Sequence, residues 1–415
     1  MEKSGKFRLT SLERNWILYD VGNSAFVLMV ATLIPIFFNA LAESGGLSSV
    51  EYLVYWGYAS SAVTVITAVL SPILGTVADT KGFKKPIFIL CVFVGIVGCC
   101  AMGAASAWLP FLVIFVIAKV GFSGSLVFYD SMLSDVTTPE RMDEVSSRGY
   151  AWGYIGSCVP FVVCLGLVLG AGSIGISQMT ALNLALLLTA AWWLLTTLPL
   201  LKSYKQLYYV EVEKHAVRQS FARIGHTLRH LPEDKQVFWF LLAFFCYIDG
   251  VYTIIDMATA YGTALGLDTT GLLLALLVTQ IPSALIFGRL SNKYPSAKLI
   301  PVCIAAYAGI AVFAFFLTQQ WQFWVLAVIV GMFQGGVQAL SRSHFAKIIP
   351  PEKSGEYFGL FDICGKGASF LGTMIVSVGS QLTGSANVGV GSLIVLFIVG
   401  FVLFRVSCKK EVVPE

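Results

Sequence analysis

The sequence predicts an all-α membrane protein of twelve transmembrane helices arranged as two pseudo-symmetric six-helix bundles. Three observations predict it: a composition suited to lipid, positive charges confined to alternate connections, and motifs that recur at one long spacing. Of 415 residues, 57% are hydrophobic and 12% are charged, about half the roughly 25% charge of a typical soluble domain. The mean hydropathy is +0.80, so the natural solvent of this chain is lipid.

Apolar runs of about 20 residues, the length that crosses a ~30 Å hydrocarbon core, follow one another with little left over. In the first half they are Trp16–Leu41, Tyr52–Ala78, Pro86–Ser106, Leu109–Leu133, Arg148–Gly170 and Ile174–Leu200. In the second half they are Val237–Thr263, Thr270–Ser291, Lys298–Leu317, Trp321–Phe345, Phe358–Leu382 and Val388–Val406. A basic flank precedes the first run as in a signal peptide, but that run exceeds the roughly 7–15 residues of a signal core and is kept as helix one.

The cations check this division independently, because cytoplasmic connections carry the Lys/Arg excess. Apart from Lys119 and Lys366, every one of the 27 Lys and Arg residues falls at a terminus or in an even-numbered connection. Both termini are therefore expected in the cytoplasm, with the chain in an inner (plasma) membrane. The same asymmetry accounts for the net charge of +4. No basic run is interleaved with aromatics as nucleic-acid binding requires, so membrane lipid and a small-molecule substrate are the expected partners of a monomer. The nine cysteines sit in or beside apolar runs and read as small core residues.

The longest polar stretch divides the chain into a first bundle (1–201), a cytoplasmic linker with amphipathic helical character (202–236) and a second bundle (237–415). His215, His226 and His230 in that linker lack the Cys or carboxylate companions of a metal site, so neither metal nor cofactor is expected. The two bundles repeat. Pro139-Glu140-Arg141-x-x-Glu144 recurs as Pro351-Glu352-Lys353-x-x-Glu356, and Gly75-x-x-x-Asp79-x-x-Gly82 has a worn counterpart in Gly288-x-x-x-Asn292. Such duplication is the architecture in which one half rocks against the other around a mid-membrane site.

The Gly75, Asp79 and Gly82 motif, with Lys84 and Lys85 after it, resembles the loop signature of the major facilitator superfamily, although Thr80 stands where that signature has a basic residue. A second set of motifs is more specific: Trp16-x-x-Tyr19-Asp20-x-Gly22-Asn23-Ser24-Ala25-Phe26, Ser146-Ser147-x-Gly149, Gly153-Tyr154-x-Gly156, Tyr247-x-Asp249-Gly250, and Gln334 through Ser343. With Gly359 and Lys366, these resemble the branch that includes the autophagy-related vacuolar amino-acid effluxers and their bacterial relatives. The resemblance implies the major facilitator fold and alternating access, with amino acids as the leading substrate and gating by Gly75, Asp79 and Gly82.

A charge at the middle of a bilayer costs about 2.5–3.5 kcal/mol on insertion scales, so each one is a functional candidate. The candidates are Asp20, Lys119, Asp130, Asp249, Asp256, Asp362 and Lys366. Lys119, Ser123 and Asp130 share one helical face, since Lys119 to Asp130 is about three turns. Asp362 and Lys366 stand at i, i+4 and either neutralise one another or leave Lys366 for substrate or proton contact. Asp249, Tyr252 and Asp256 form a polar stripe, and Asp249 is the preferred proton-coupling or ammonium site, with Asp20 as its counterpart and Asn23 nearby. Asp20 could equally pair with a neighbouring cation. Gln334 and Gln338 either orient substrate or join helices; Arg342 beyond them suits a gate ion pair, as does Asp362.

These residues predict a secondary transporter whose cavity is lined by helices one, four, seven and ten and flanked by eleven. Lys119 or Lys366 would meet a carboxylate. No phosphate-binding Gly-x-x-x-x-Gly-Lys-[Ser/Thr] occurs, so energy comes from a gradient of protons or of the solute. A facilitator or exporter of another metabolite or amphipathic compound is the alternative. An enzyme would need a nucleophile and base, for which only Ser123 beside Lys119 is available. A channel would differ by carrying solute-independent current.

Overall fold

In a computed structural model of the chain, residues 7–211, 225–227, 229–265, 272–366 and 370–409 are described. Eleven stretches among them are helical, long and apolar enough to cross a membrane. Leu272–Ser291, also helical, stands at the eighth predicted span. The helices are numbered 1 to 12 in chain order. The described residues form no strand beyond one isolated bridge between Thr80 and Val210.

Helix 1 is Ser11–Ala31 continued by Leu33–Ser44. Thr10 caps it in a reciprocal box with Glu13, satisfying two amides that a helix end leaves open. The break at Thr32 follows from Pro35, which removes a donor and crowds the carbonyl of Ala31 one turn earlier. Helices 2 to 6 are Ser49–Ala78, Lys84–Gly103, Trp108–Ser131, Met142–Leu169 and Gln178–Ser203. Helices 7 to 10 are Lys235–Ala264, Leu272–Ser291, Ser296–Phe315 and Gln320–Ile348.

Helix 11 is described as Ser354–Lys366 and Phe370–Thr383, and helix 12 as Ala386–Gly391 and Ile394–Ser407. Helix 11 begins a turn earlier than the hydropathy suggests, because its first turn is polar yet buried against helix 2. Residues 212–224 of the predicted amphipathic linker, His215 included, lie outside the described residues.

Lipid supplies no hydrophobic drive for helices to associate, so close packing and interhelical hydrogen bonds hold the bundle. In the first half Trp16 stacks on Tyr129 with centroids 4.3 Å apart and donates its Nε1–H to the Tyr129 carbonyl. In the second half Phe244 stacks on Phe361 at 4.0 Å. Helices 2 and 11 touch backbone to backbone: a Cβ on Gly75 would meet the Gly355 carbonyl, and one on Gly359 would meet Pro72. The turn after helix 2 needs glycine at Gly82, whose φ is +80°.

Candidate functional site

A cavity of about 300 Å³ opens between the halves. Helix 1 lines it with Asp20, Asn23, Ser24, Val27 and Leu28, helix 10 with Gln334, Gln338 and Arg342, and helix 4 with Leu126, Tyr129 and Asp130. The spacings of three, four, seven and eight put each set on one helical face. The fourth wall departs from expectation: it is helix 5, through Tyr150, Tyr154 and Ser157, where helix 7 was predicted. Gly149, Gly153 and Gly156 explain this, since a Cβ there would meet Asp20, Ser24 and Val21 of helix 1. The small residues draw helix 5 onto helix 1 and turn its tyrosines into the cavity. Helix 7 places no residue in the lining; its Tyr252 reaches the lining residue Gln338.

Arg342 forms the cavity floor. It belongs to the second half, yet everything it holds belongs to the first. Its Nη1 lies 3.0 Å from Asp130 and 3.9 Å from Asp20. Its Nε and Nη2 donate to the side chain and carbonyl of Ser146 at 2.9 and 3.0 Å, and its guanidinium stacks over Trp16 and Tyr150 at 4.8 and 4.4 Å. It is 2% exposed and makes three hydrogen bonds across the interface, to Ser146 twice and to Asp130 once. Above it Tyr154 donates to Gln338 at 3.0 Å, a second bond between halves.

Lys119 and Lys366 are not among the residues that line the cavity. The Lys119 ammonium lies over the Phe122 ring at 4.7 Å and near Phe26 at 6.0 Å, with no carboxylate at ion-pair distance among the described residues. Lys366 pairs with Asp362 at 2.5 Å, and Asp362 also accepts from Ser71 of helix 2 at 2.7 Å. Ser123 is buried one turn from Lys119 and does not line the cavity.

Asp249 stands apart from the cavity lining. It is fully buried and accepts from the amides of Leu371 and Gly372 at 3.0 and 2.8 Å, and from Thr253 at 3.2 Å. Asp256, two turns on, is exposed.

The halves also meet at the end of the bundle that carries both termini. Asp79 accepts from Gly355 N at 2.7 Å and Glu356 N at 2.8 Å, so a carboxylate sits on the first turn of helix 11, where the helix dipole favours it. Burial raises the Asp79 carboxyl to about 7, against the pull of Lys84, which also reaches Asp135 at 3.4 Å and Ser354 at 2.8 Å. The duplicated counterpart repeats the contact: Asn292, after helix 8, donates to Glu144 in the first turn of helix 5 at 3.0 Å. Asp143 beside it holds Ser343 at 2.6 Å and Lys347 at 2.7 Å.

Tyr150, Asp143 and Asp135 were not singled out from the sequence, and Lys84 was named only as a member of the loop motif. The repeated Pro-Glu-basic-x-x-Glu pattern pointed to the right turn for Asp143. Lys84 and Asp135 sit at helix ends, where charge is ordinary and its burial invisible to composition.

The model of the family described as "Vacuole effluxer Atg22 like" matches residues 48–411. An uncharacterized MFS-type transporter, YxiO of Bacillus subtilis (strain 168), is 41% identical over 404 residues, covering 95% of this chain and 94% of that protein. Autophagy-related protein 22 of Coccidioides immitis (strain RS) is 26% identical over 315 residues, 64% of this chain and about half of its own length. Among solved structures, the human organic anion transporter MFSD10 superposes with a TM-score of 0.73 over 94% of this chain and 99% of its own, at 14% identity. The major facilitator transporter FucP in its outward conformation gives 0.71, with 96% and 98% coverage at 16% identity. The chain is thus a multi-pass membrane transporter of the major facilitator type, not an enzyme, and it belongs to the Vacuole effluxer Atg22-like family.

Proposed function

We propose that the chain carries a small zwitterionic solute by alternating access, amino acids being the class that the family resemblance favours. One observation supports this above others: Arg342 of the second half is clasped by Asp20 and Asp130 of the first, so the floor of the cavity is an ion-pair lock between the parts that must move. Two carboxylates around one guanidinium leave a carboxylate in excess at the floor, and Lys119 of helix 4 has no carboxylate at ion-pair distance among the described residues. A solute with an ammonium and a carboxylate complements both poles, with Gln334, Gln338, Asn23 and Tyr252 fixing its orientation. Asp20 and Asp130 are also the groups placed to exchange a proton when Arg342 leaves them. The position of Asp249 favours a structural link between helices 7 and 11 over a solute contact.

In this reading the closed end carrying Asp79 and Arg342 is cytoplasmic, the linker 202–236 joins two moving bundles, and a monomer in the plasma membrane faces outward. Purified protein in liposomes preloaded with a mixture of unlabelled amino acids should exchange them for labelled external ones. Arg342→Ala should reduce that exchange at least tenfold with insertion unchanged. Absence of counterflow with every amino acid would refute the assignment of substrate.

A further inference from the structure

The groups that hold the Arg342 side chain belong to the first half, while Arg342 itself rides on helix 10 of the second. Trp16, Tyr129 and Tyr150 give it aromatic faces at 4.8, 5.4 and 4.4 Å. Asp130 and Ser146 accept its hydrogen bonds, and Asp20 stands 3.9 Å away. Rings, carboxylates and a carbonyl around one planar cation form a receptor for a guanidinium, whose fork and flat faces a compact ammonium does not match. The receptor is reached from the cavity, because Asp20, Tyr129, Asp130 and Tyr150 line it beside Arg342. The tethered guanidinium also fills it incompletely. Asp20 Oδ2 is buried and beyond hydrogen-bond reach of Arg342, whereas a guanidinium free of helix 10 can turn to engage both carboxylates.

We propose that Arg342 is an internal stand-in for the solute: its box in the first half is a guanidinium site, which a guanidinium-bearing solute enters when the second half swings away. The proposal rests on the alternating-access reading and narrows its solute class to zwitterions that carry a guanidinium. In the closed arrangement the tether keeps Arg342 at a high effective concentration beside the box, so a free cation must compete with it. When helix 10 withdraws, Asp20 and Asp130 lose their counterion, and unpaired carboxylates in a poorly hydrated site are costly. A solute cation that takes the vacated place keeps Arg342 from returning and holds the terminus-bearing end open until it leaves. The solute therefore favours the state in which it has no rival, and such differential affinity is what shifts a conformational equilibrium.

The test measures binding and distance rather than transport, so its failure stays distinguishable from failure of the alternating-access reading, which counterflow decides. Full-length protein in phosphatidylcholine nanodiscs is titrated by ligand-observed NMR with methylguanidinium, with methylammonium as the compact cation and methylurea as the neutral control. Arg342→Ala should bind methylguanidinium at least tenfold tighter than wild type, although its transport falls, and Asp130→Asn added to it should abolish that binding. Equal or weaker binding by Arg342→Ala overturns the proposal, as does binding that survives Asp130→Asn. Methylammonium that binds as tightly as methylguanidinium overturns the assignment to guanidinium. A second measurement leaves Arg342 in place: labels at Glu140 and Glu352, exposed positions in the connections after helices 4 and 10, should move apart in otherwise wild-type protein saturated with methylguanidinium and stay put with methylurea. An unchanged or shortened distance with methylguanidinium refutes displacement of Arg342.

Discussion

Arg342 and Asp249 show how differently two buried charges can be employed. Arg342 spends its donors across the interface between halves, so losing them matters only when the halves separate and rejoin. Asp249 spends its acceptors within the second half, on Leu371, Gly372 and Thr253. Asp249→Ala orphans the buried amide of Gly372, at about 1–3 kcal/mol, and the part-buried amide of Leu371, and should lower the unfolding midpoint of detergent-solubilised protein while the molecules that remain folded transport at near wild-type rate. Loss of transport at unchanged stability would return Asp249 to the solute path. The sequence marked Asp249 as an intramembrane charge and Arg342 as a gate cation beyond the glutamines of helix ten. It could not separate them, because the partners of Asp249 are backbone amides more than a hundred positions away, and backbone carries no signature in composition. Helical spacing, by contrast, made the pairing of Gln334 with Gln338, and Arg342 beyond them, visible in advance.

Among the elements, the contact of helix 2 with helix 11 is the most closely defined. Gly75, Gly355 and Gly359 let the backbones meet, and Asp79 then reaches the first turn of helix 11. In the closed arrangement burial holds the Asp79 carboxyl near 7; when helix 2 leaves, the group meets water and returns toward its ordinary 3.8. The closed form therefore binds the proton more tightly. Its contribution to closure is complete below about pH 4 and disappears as pH rises through about 7. The neighbours facing it, Lys84 and Glu356, modulate the midpoint. Distances between labels at the Asp79 end of the bundle should lengthen from pH 6 to pH 8 in wild type, and the dependence should flatten in Asp79→Asn. An unchanged profile in that variant would exclude Asp79 as its source. The lining by helix 5 was hidden for a related reason: the glycines that bring it in were visible, but which neighbour they approach is a property of the assembled bundle.

At the scale of the whole molecule the sequence was most informative. Twelve lipid-length runs, a one-sided distribution of cations and a repeat spaced at half the chain describe a duplicated bundle before any contact is known, because bilayer thickness and backbone satisfaction leave few alternatives. The sidedness itself is open to a direct measurement. A cysteine at Gly46, between helices 1 and 2, should react with a membrane-impermeant maleimide added outside intact cells, and one at Lys205 should react only after permeabilisation; the reverse pattern would invert the proposed orientation.

Duplication also left an inequality with a mechanical outcome. Of the two diagonal clasps that shut the terminus-bearing end, one joins Asp79 to a helix start and the other joins the amide of Asn292 to Glu144. Only the first has a titrating carboxylate on its loop side, so alkalinity should slacken one corner while the other stays fastened. The molecule would then begin to open as a hinged flap, swinging about the Asn292 corner, before it parts along its full width.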